Sequence, residues 1–77
     1  MRELVTYIAK SLVANPDEVF VSELKNDHET VFQIKVAEED MGRIIGKQGK
    51  IAKAIRTLTK AAAIKEGIMV QVEISDQ

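Results

Sequence analysis

The stretch that decides the fold is residues 41–51, which read MGRIIGKQGKI. Two of its three glycines, at 46 and 49, enclose one lysine and one glutamine. Because glycine has no Cβ, the backbone can turn sharply there, and another molecule can approach the main chain closely. We therefore predict that residues 46–49 form a tight, exposed tip between two helical segments.

Both sides of this tip are predicted to be helical. Asp40 is suited to cap a short helix from about Met41 to Ile45, which Gly46 would interrupt. Residues 50–65 predict a longer amphipathic helix, and Gly67 follows it as a C-terminal glycine. Its predicted apolar face comprises Ile51, Ala54, Ile55, Leu58, Ala61 and Ala62. With Ile44, the larger of these side chains are expected to form the core that holds the tip in place.

The rest of the chain predicts one further helix and three strands. Residues 2–14 carry an apolar stripe of helical spacing, which ends at a proline. Residues 18–24 and 30–37 are rich in β-branched residues and are joined by a polar turn, and residues 68–75 alternate cleanly. The long helical crossover before the last strand favours parallel pairing. The prediction is an α+β fold in the order α-β-β-α-α-β, with three helices covering one face of a three-stranded mixed sheet.

Composition limits the classes of function. The 77 residues, 45% hydrophobic and 30% charged, are typical of one small globular domain over residues 1–77. The absence of cysteine and the single histidine, His28, argue against disulfides and against a bound metal or haem. No apolar run approaches the length of a membrane span, and no signal-peptide core begins the chain. We therefore expect a cytoplasmic protein without a cofactor or a membrane contact.

Charge is unevenly distributed along the chain, although the net charge is only −1. Residues 1–40 contain nine acidic residues against four basic ones. Residues 41–65 contain no acidic residue and seven basic ones, namely Arg43, Lys47, Lys50, Lys53, Arg56, Lys60 and Lys65. This segregation predicts one surface that faces an anion. Aromatic residues make up only 4% of the chain, so recognition by stacking on rings is not expected to dominate.

In this context, the stretch resembles the signature of a KH domain. That signature is an apolar pair, then Gly-x-x-Gly, then a helix with an isoleucine two residues after the second glycine, here Ile51. The predicted element order is that of the type II KH fold, and the resemblance covers essentially the whole chain. The length and residues 41–50 look like the single-domain bacterial RNA-binding proteins of the KhpA family.

The resemblance implies a non-catalytic protein that grips about four nucleotides of single-stranded RNA. The implied contacts are Arg43, Ile45, Gly46, Lys47, Gln48, Gly49, Lys50 and Lys53. Ile45 would lie nearest a groove for the bases, with Ile34 and Val36 as further contributors. Arg56, Lys60 and Lys65 are expected to form a solvated helix face instead.

The family also implies a biological setting. Its members are linked to RNA chaperoning, to post-transcriptional regulation and to the control of cell shape, cell-wall biogenesis and division. The implied partners are a second copy of the chain, or a larger Jag-type KH protein called KhpB. Pairing of two copies would raise the avidity for RNA, because one site of four nucleotides binds weakly.

Three other functions differ in how well the sequence supports them. A nucleotide-hydrolysing loop is disfavoured, because only three residues separate Gly42 from Gly46 and because Gln48 follows the lysine where a serine or threonine is needed. A protein-interaction subunit with little RNA binding of its own remains open. Binding of single-stranded DNA also remains open, because no residue is an unambiguous reader of the RNA 2′-hydroxyl.

Overall fold

The computed structural model describes residues 1–76, and of Lys47 and Gln48 it describes only the backbone. Helix α1 is followed by a short 3-10 helix, the hairpin β1–β2, helix α2 and strand β3. Their bounds are Arg2–Leu12, Pro16–Glu18, Phe20–Lys25, Thr30–Val36, Glu38–Glu66 and Val70–Asp76 respectively. This confirms the predicted α+β class. The first strand begins two residues later than predicted, because the chain after Pro16 turns once as a 3-10 helix.

Strand β2 lies at the centre of the sheet. It pairs antiparallel with β1 and parallel with β3, so that Phe32 lies opposite Glu23 on one side and Val72 on the other. The hairpin turn is closed by the Asn26 side chain, whose Oδ1 accepts hydrogen bonds from the backbone N–H groups of His28 and Glu29 at 2.8 Å each. The predicted hairpin and the predicted parallel crossover are both confirmed.

Helix α2 corrects the prediction of where the helical crossover is interrupted. Helical hydrogen bonding runs from Glu38 to Glu66, and Gly46 does not interrupt it. The break in backbone conformation lies at Gly49, whose φ of 68° is in the left-handed region. A right-handed helix needs a φ near −63°, so two helical segments meet at Gly49. These segments are the last two helices of the α-β-β-α-α-β order, which is confirmed.

The core lies between the helices and one face of the sheet. Alternate residues of β2, among them Phe32, Ile34 and Val36, are fully buried. Val5 and Ala9 of α1 pack onto this layer, as do Ile44 and Ile55 of α2. The opposite face of the sheet carries the exposed alternate residues, so the predicted covering of one face is also confirmed.

The buried side of the second segment of α2 differs from the prediction. Leu58, predicted to lie in the core, is 50% exposed. Ile55 is buried as predicted, and Thr59 and Ala63 are buried with it at four-residue intervals, which is the spacing of one row along a helix. The Thr59 Oγ1 atom is buried without a hydrogen-bond partner among the described residues. The helix is therefore rotated away from its most apolar side, and a hydroxyl takes a core position.

Candidate nucleic-acid interface

The main chain at the tip is uncovered. A Cβ atom placed on Gly46 or Gly49 would meet no atom of the described residues within 4 Å, apart from the local helix backbone. At Gly49 the positive φ itself favours glycine. At Gly46 neither packing nor a positive φ requires one, and a glycine inside a helix costs up to about 1 kcal/mol relative to alanine. The fold therefore gives no reason for Gly46, whereas close approach of a ligand does.

Gly42 extends this uncovered surface, and the sequence analysis did not include it among the site residues. It lies four residues before Gly46, on the same side of the helix, and a Cβ there would also meet nothing within 4 Å. The four-residue spacing of two glycines in a helical stretch was the available signal. The first segment of α2 thus presents two positions without a side chain, one turn apart, on the side that leads towards the tip.

The predicted contact residues around the tip are accessible where the structure describes them. Arg43, Lys50 and Lys53 are exposed, and the side chain of Ile45 is 64% exposed. The side chains of Lys47 and Gln48, at the centre of the tip, lie outside the described residues. Helix α2 therefore brings three cations and one apolar side chain to the flanks of the two glycines. Their role in binding RNA stays a prediction.

Two residues predicted to line the base groove cannot do so in this structure. Ile34 and Val36 are fully buried in the core under the helices. The error arose because alternation along β2 identifies one apolar face but not what covers that face. Of the three side chains proposed for contact with bases, only Ile45 is accessible.

A shallow groove runs along the outer side of the second segment of α2. We call it the outer groove, and it is lined by Gly49, Ala52, Lys53, Arg56, Thr57 and Lys60. Arg56 and Lys60 were expected to be merely solvated, and both are exposed. Within the described part of the chain, no salt bridge engages Lys53, Arg56 or Lys60. The three positive charges are therefore available to an anion from outside.

The first turn of α2 is held by a buried carboxylate that the sequence analysis assigned to capping. Ala37 is the N-cap residue, and Asp40 is the third residue of the helix, within its first turn. The Asp40 carboxylate accepts hydrogen bonds from Ala14 N at 2.9 Å, Asn15 N at 3.0 Å and Asn15 Nδ2 at 3.2 Å. We call this arrangement the anchor. It joins the connection after α1 to the helix that carries the tip.

The anchor also changes the ionisation of Asp40. Burial by itself raises the pKa of this carboxyl, because it disfavours the charged form. The hydrogen bonds from Ala14 and Asn15 act in the opposite direction, as does the charge of Arg43, and together they outweigh burial. The pKa of Asp40 therefore lies below its ordinary value, and the group is ionised at neutral pH.

The described residues contain neither a membrane-spanning helix nor a metal-binding cluster. Among residues 1–76, no helix combines the length and the apolar character needed to cross a lipid bilayer. Nor do the described residues bring together three or more histidine, cysteine, aspartate or glutamate side chains that could hold a metal ion.

Comparison with known proteins finds one matching family model and several similar proteins. The family model described as KhpA/KhpB, KH domain matches residues 2–74. The RNA-binding protein KhpA of Clostridium acetobutylicum is 60% identical over 74 residues, and that of Clostridium perfringens is 58% identical, each covering 96% of this chain and 99% of the relative. The RNA-binding protein KhpA of Chlamydia pneumoniae is 40% identical over 77 residues, which cover all of this chain and 99% of the relative. No solved structure matches the chain.

Proposed function

Because the chain belongs to the KhpA/KhpB family of KH domains, as its sequence predicted, we propose that it binds single-stranded RNA at the tip. It is a binding protein and not an enzyme. The observation that carries the proposal is the open space over Gly46, a glycine that the fold does not require. Gly46 lies within residues 41–65, whose charged residues are all basic.

The proposed mechanism follows from this geometry. A phosphate approaches the backbone at Gly46 and Gly49, where no side chain intervenes. Lys47, Lys50 and Lys53 supply the attraction, Gln48 donates a hydrogen bond, and Arg43 extends the contact one turn back along the helix. The exposed Ile45 side chain offers an apolar surface to a base. Such a site holds about four nucleotides, which is the usual span of the Gly-x-x-Gly loop of KH domains.

The proposal extends to a cellular role. The protein acts in the cytoplasm as an RNA chaperone or post-transcriptional regulator that affects cell shape, division and cell-wall biogenesis. It works as a pair, with a second copy or with the larger KH protein KhpB, because two linked sites raise the effective concentration of each for one RNA. The description of the matching family model, which names both KhpA and KhpB, supports this choice of partner.

The double variant Lys47→Asp with Gln48→Asp tests the tip directly. Two negative charges on the proposed phosphate path should weaken binding of single-stranded RNA on the order of a hundredfold, because contacts are replaced by repulsion. Fluorescence anisotropy with a labelled RNA measures the affinity, and circular dichroism checks the fold. Lys65→Asp is the matched control, since Lys65 is exposed on the same helix but does not line the outer groove. Unchanged affinity in a folded double variant would overturn the proposal.

A second candidate function is that of a protein-interaction subunit. The observation that favours it is the open face of the sheet, where Phe20 is 58% exposed and Leu24 is 52% exposed. In this case, RNA cross-linking in cells would be negligible, and a protein partner would co-purify at fixed stoichiometry. Binding of single-stranded DNA is distinguished by competition between RNA and DNA oligonucleotides of the same sequence.

A further inference from the structure

We propose that the outer groove of α2 is a second phosphate-binding track, which carries the RNA backbone onward from the nucleotides held at the tip. This inference rests on the proposed function and extends it. It assigns Arg56 and Lys60 a role in binding longer RNA that the resemblance does not imply. The ligand is the sugar-phosphate backbone, so the contact is independent of base sequence.

The outer groove is continuous with the tip. Gly49 is the last residue of the tip and also lines the outer groove. Its left-handed φ of 68° is the point at which the second segment of α2 begins. A Cβ at Gly49 would meet open space within 4 Å, so the surface is open at the residue that the tip and the groove share. A strand that leaves the tip on this side enters the groove directly.

The three cations of the outer groove are spaced like the phosphates of a nucleic-acid strand. Positions 53, 56 and 60 fall on one side of a helix, as residues three and four apart do. At 1.5 Å of rise per residue, they span roughly 10 Å along the axis. Phosphates of one strand follow each other at about 3.4 Å along a duplex axis, and more widely in an extended strand. The row therefore matches two or three successive phosphates.

The residues that line the outer groove are suited to a phosphate backbone. Among the described residues, none that lines the groove is acidic, and the other lining side chains are the small Ala52 and the hydroxyl-bearing Thr57. The lining contains no aromatic or large apolar residue on which a base could rest. Lys53, Arg56 and Lys60 form no salt bridge with a described residue, so binding a phosphate breaks no ion pair of the fold. These features select a backbone and not a base.

The test compares two lengths of RNA in two matched double variants. Arg56→Gln with Lys60→Gln removes two charges from the groove. Lys10→Gln with Lys65→Gln removes two exposed charges elsewhere. Affinity is measured by anisotropy for random-sequence RNA pools of 5 and 12 nucleotides, at several salt concentrations. The groove variant should lose about tenfold in affinity for the 12-mer, and its slope of log affinity against log salt should become shallower by about 1.4.

Affinity for the 5-mer should stay within about twofold of that of the wild type, because a short RNA is held at the tip alone. Equal weakening at both lengths would place Arg56 and Lys60 in the tip site and overturn the second track. No weakening at either length, or equal weakening in the control variant, would overturn it as well. In both cases, binding of RNA at the tip is tested independently by the double variant Lys47→Asp with Gln48→Asp. If the wild type binds neither RNA, the proposed function and the track fall together.

The single variants Arg56→Gln and Lys60→Gln guard against a folding defect in the double variant. Each should show about half of the change in salt slope, and each changes one exposed side chain only. A normal slope in both single variants would overturn the track.

Discussion

The anchor and the tip lie within ten residues of each other on α2, yet the polar groups of the anchor are buried and those that flank the tip are exposed. At the anchor, Asp40 is only 1% exposed, and its carboxylate accepts three hydrogen bonds from within the fold. At the tip, the backbone near Gly46 faces open space, and the cations on its flanks are exposed. Buried, hydrogen-bonded groups fix the position of the helix at the anchor, whereas the exposed surface of the tip is the part that a ligand can reach.

Replacing Asp40 by asparagine should produce the largest loss of stability. The carboxylate would be exchanged for an amide, one end of which is a donor facing the N–H groups of Ala14 and Asn15. A buried hydrogen bond to a charged group contributes about 1.5–3 kcal/mol, so we expect a loss of roughly 2–3 kcal/mol. Urea denaturation at pH 7 measures it. A loss below 0.5 kcal/mol, within the usual effect of a surface substitution, would show that the anchor does not fix the helix.

The stability difference between the wild type and Asp40→Asn should depend on pH. Because the pKa of Asp40 is lowered in the folded state, the anchor's contribution is fully present above the unfolded pKa of about 3.9. It is lost as the pH falls through the lower pKa of the folded state. The difference should therefore be constant from pH 5 to 7 and shrink towards pH 3. Denaturation of both proteins at each pH tests this, and a difference that widened in acid would contradict it.

The two glycines of the tip should respond in opposite directions to substitution by alanine. Gly49→Ala should destabilise the fold by about 1–2 kcal/mol, because its positive φ is unfavourable for a residue with a Cβ. Gly46→Ala should stabilise it by about 0.5–1 kcal/mol, because helix propensity improves and nothing clashes. Thermal denaturation measures both effects, and RNA binding should weaken in the more stable Gly46→Ala protein. Stabilisation with unchanged affinity would mean that the open space serves no ligand.

A smaller effect than at Asp40 is expected at Thr59, which lacks the hydrogen-bond partners that Asp40 has. Its buried hydroxyl finds no hydrogen-bond partner among the described residues. Thr59→Val keeps the shape and removes the unsatisfied group, so stability should rise by about 1 kcal/mol. Thr57→Val is the matched control, since Thr57 is exposed on the same helix. Equal effects at the two positions would show that the Thr59 hydroxyl is satisfied in solution.

Much of the fold and the place of the candidate site were predictable from local patterns. The informative patterns each extend over a short part of the chain. They are the alternation in β2 and β3, the helical periodicity of residues 50–65, and the spacing of Gly46 and Gly49. Local sterics and the pairing rules for strands then restrict how such elements can be arranged. For the same reason, the sequence alone was sufficient to show the basic charge of residues 41–65 and the family resemblance.

The parts that could not be predicted depend on residues far apart in the chain. Asp40 was interpreted as a cap because its partners, Ala14 and Asn15, lie 26 and 25 residues away. Leu58 was assigned to the core because its own helix does not reveal how far it rotates when it packs on the sheet.

The chain's local chemistry was thus enough to specify the order of the elements and a cationic, glycine-framed tip. Packing in three dimensions set which groups are buried: it enclosed Ile34, Val36 and Thr59 and left Leu58 outside. It also joined Gly49 to Arg56 and Lys60 in one groove. The physical reason is that propensity and periodicity act between neighbours along the chain, whereas burial is decided by contacts between elements that meet only in the folded protein.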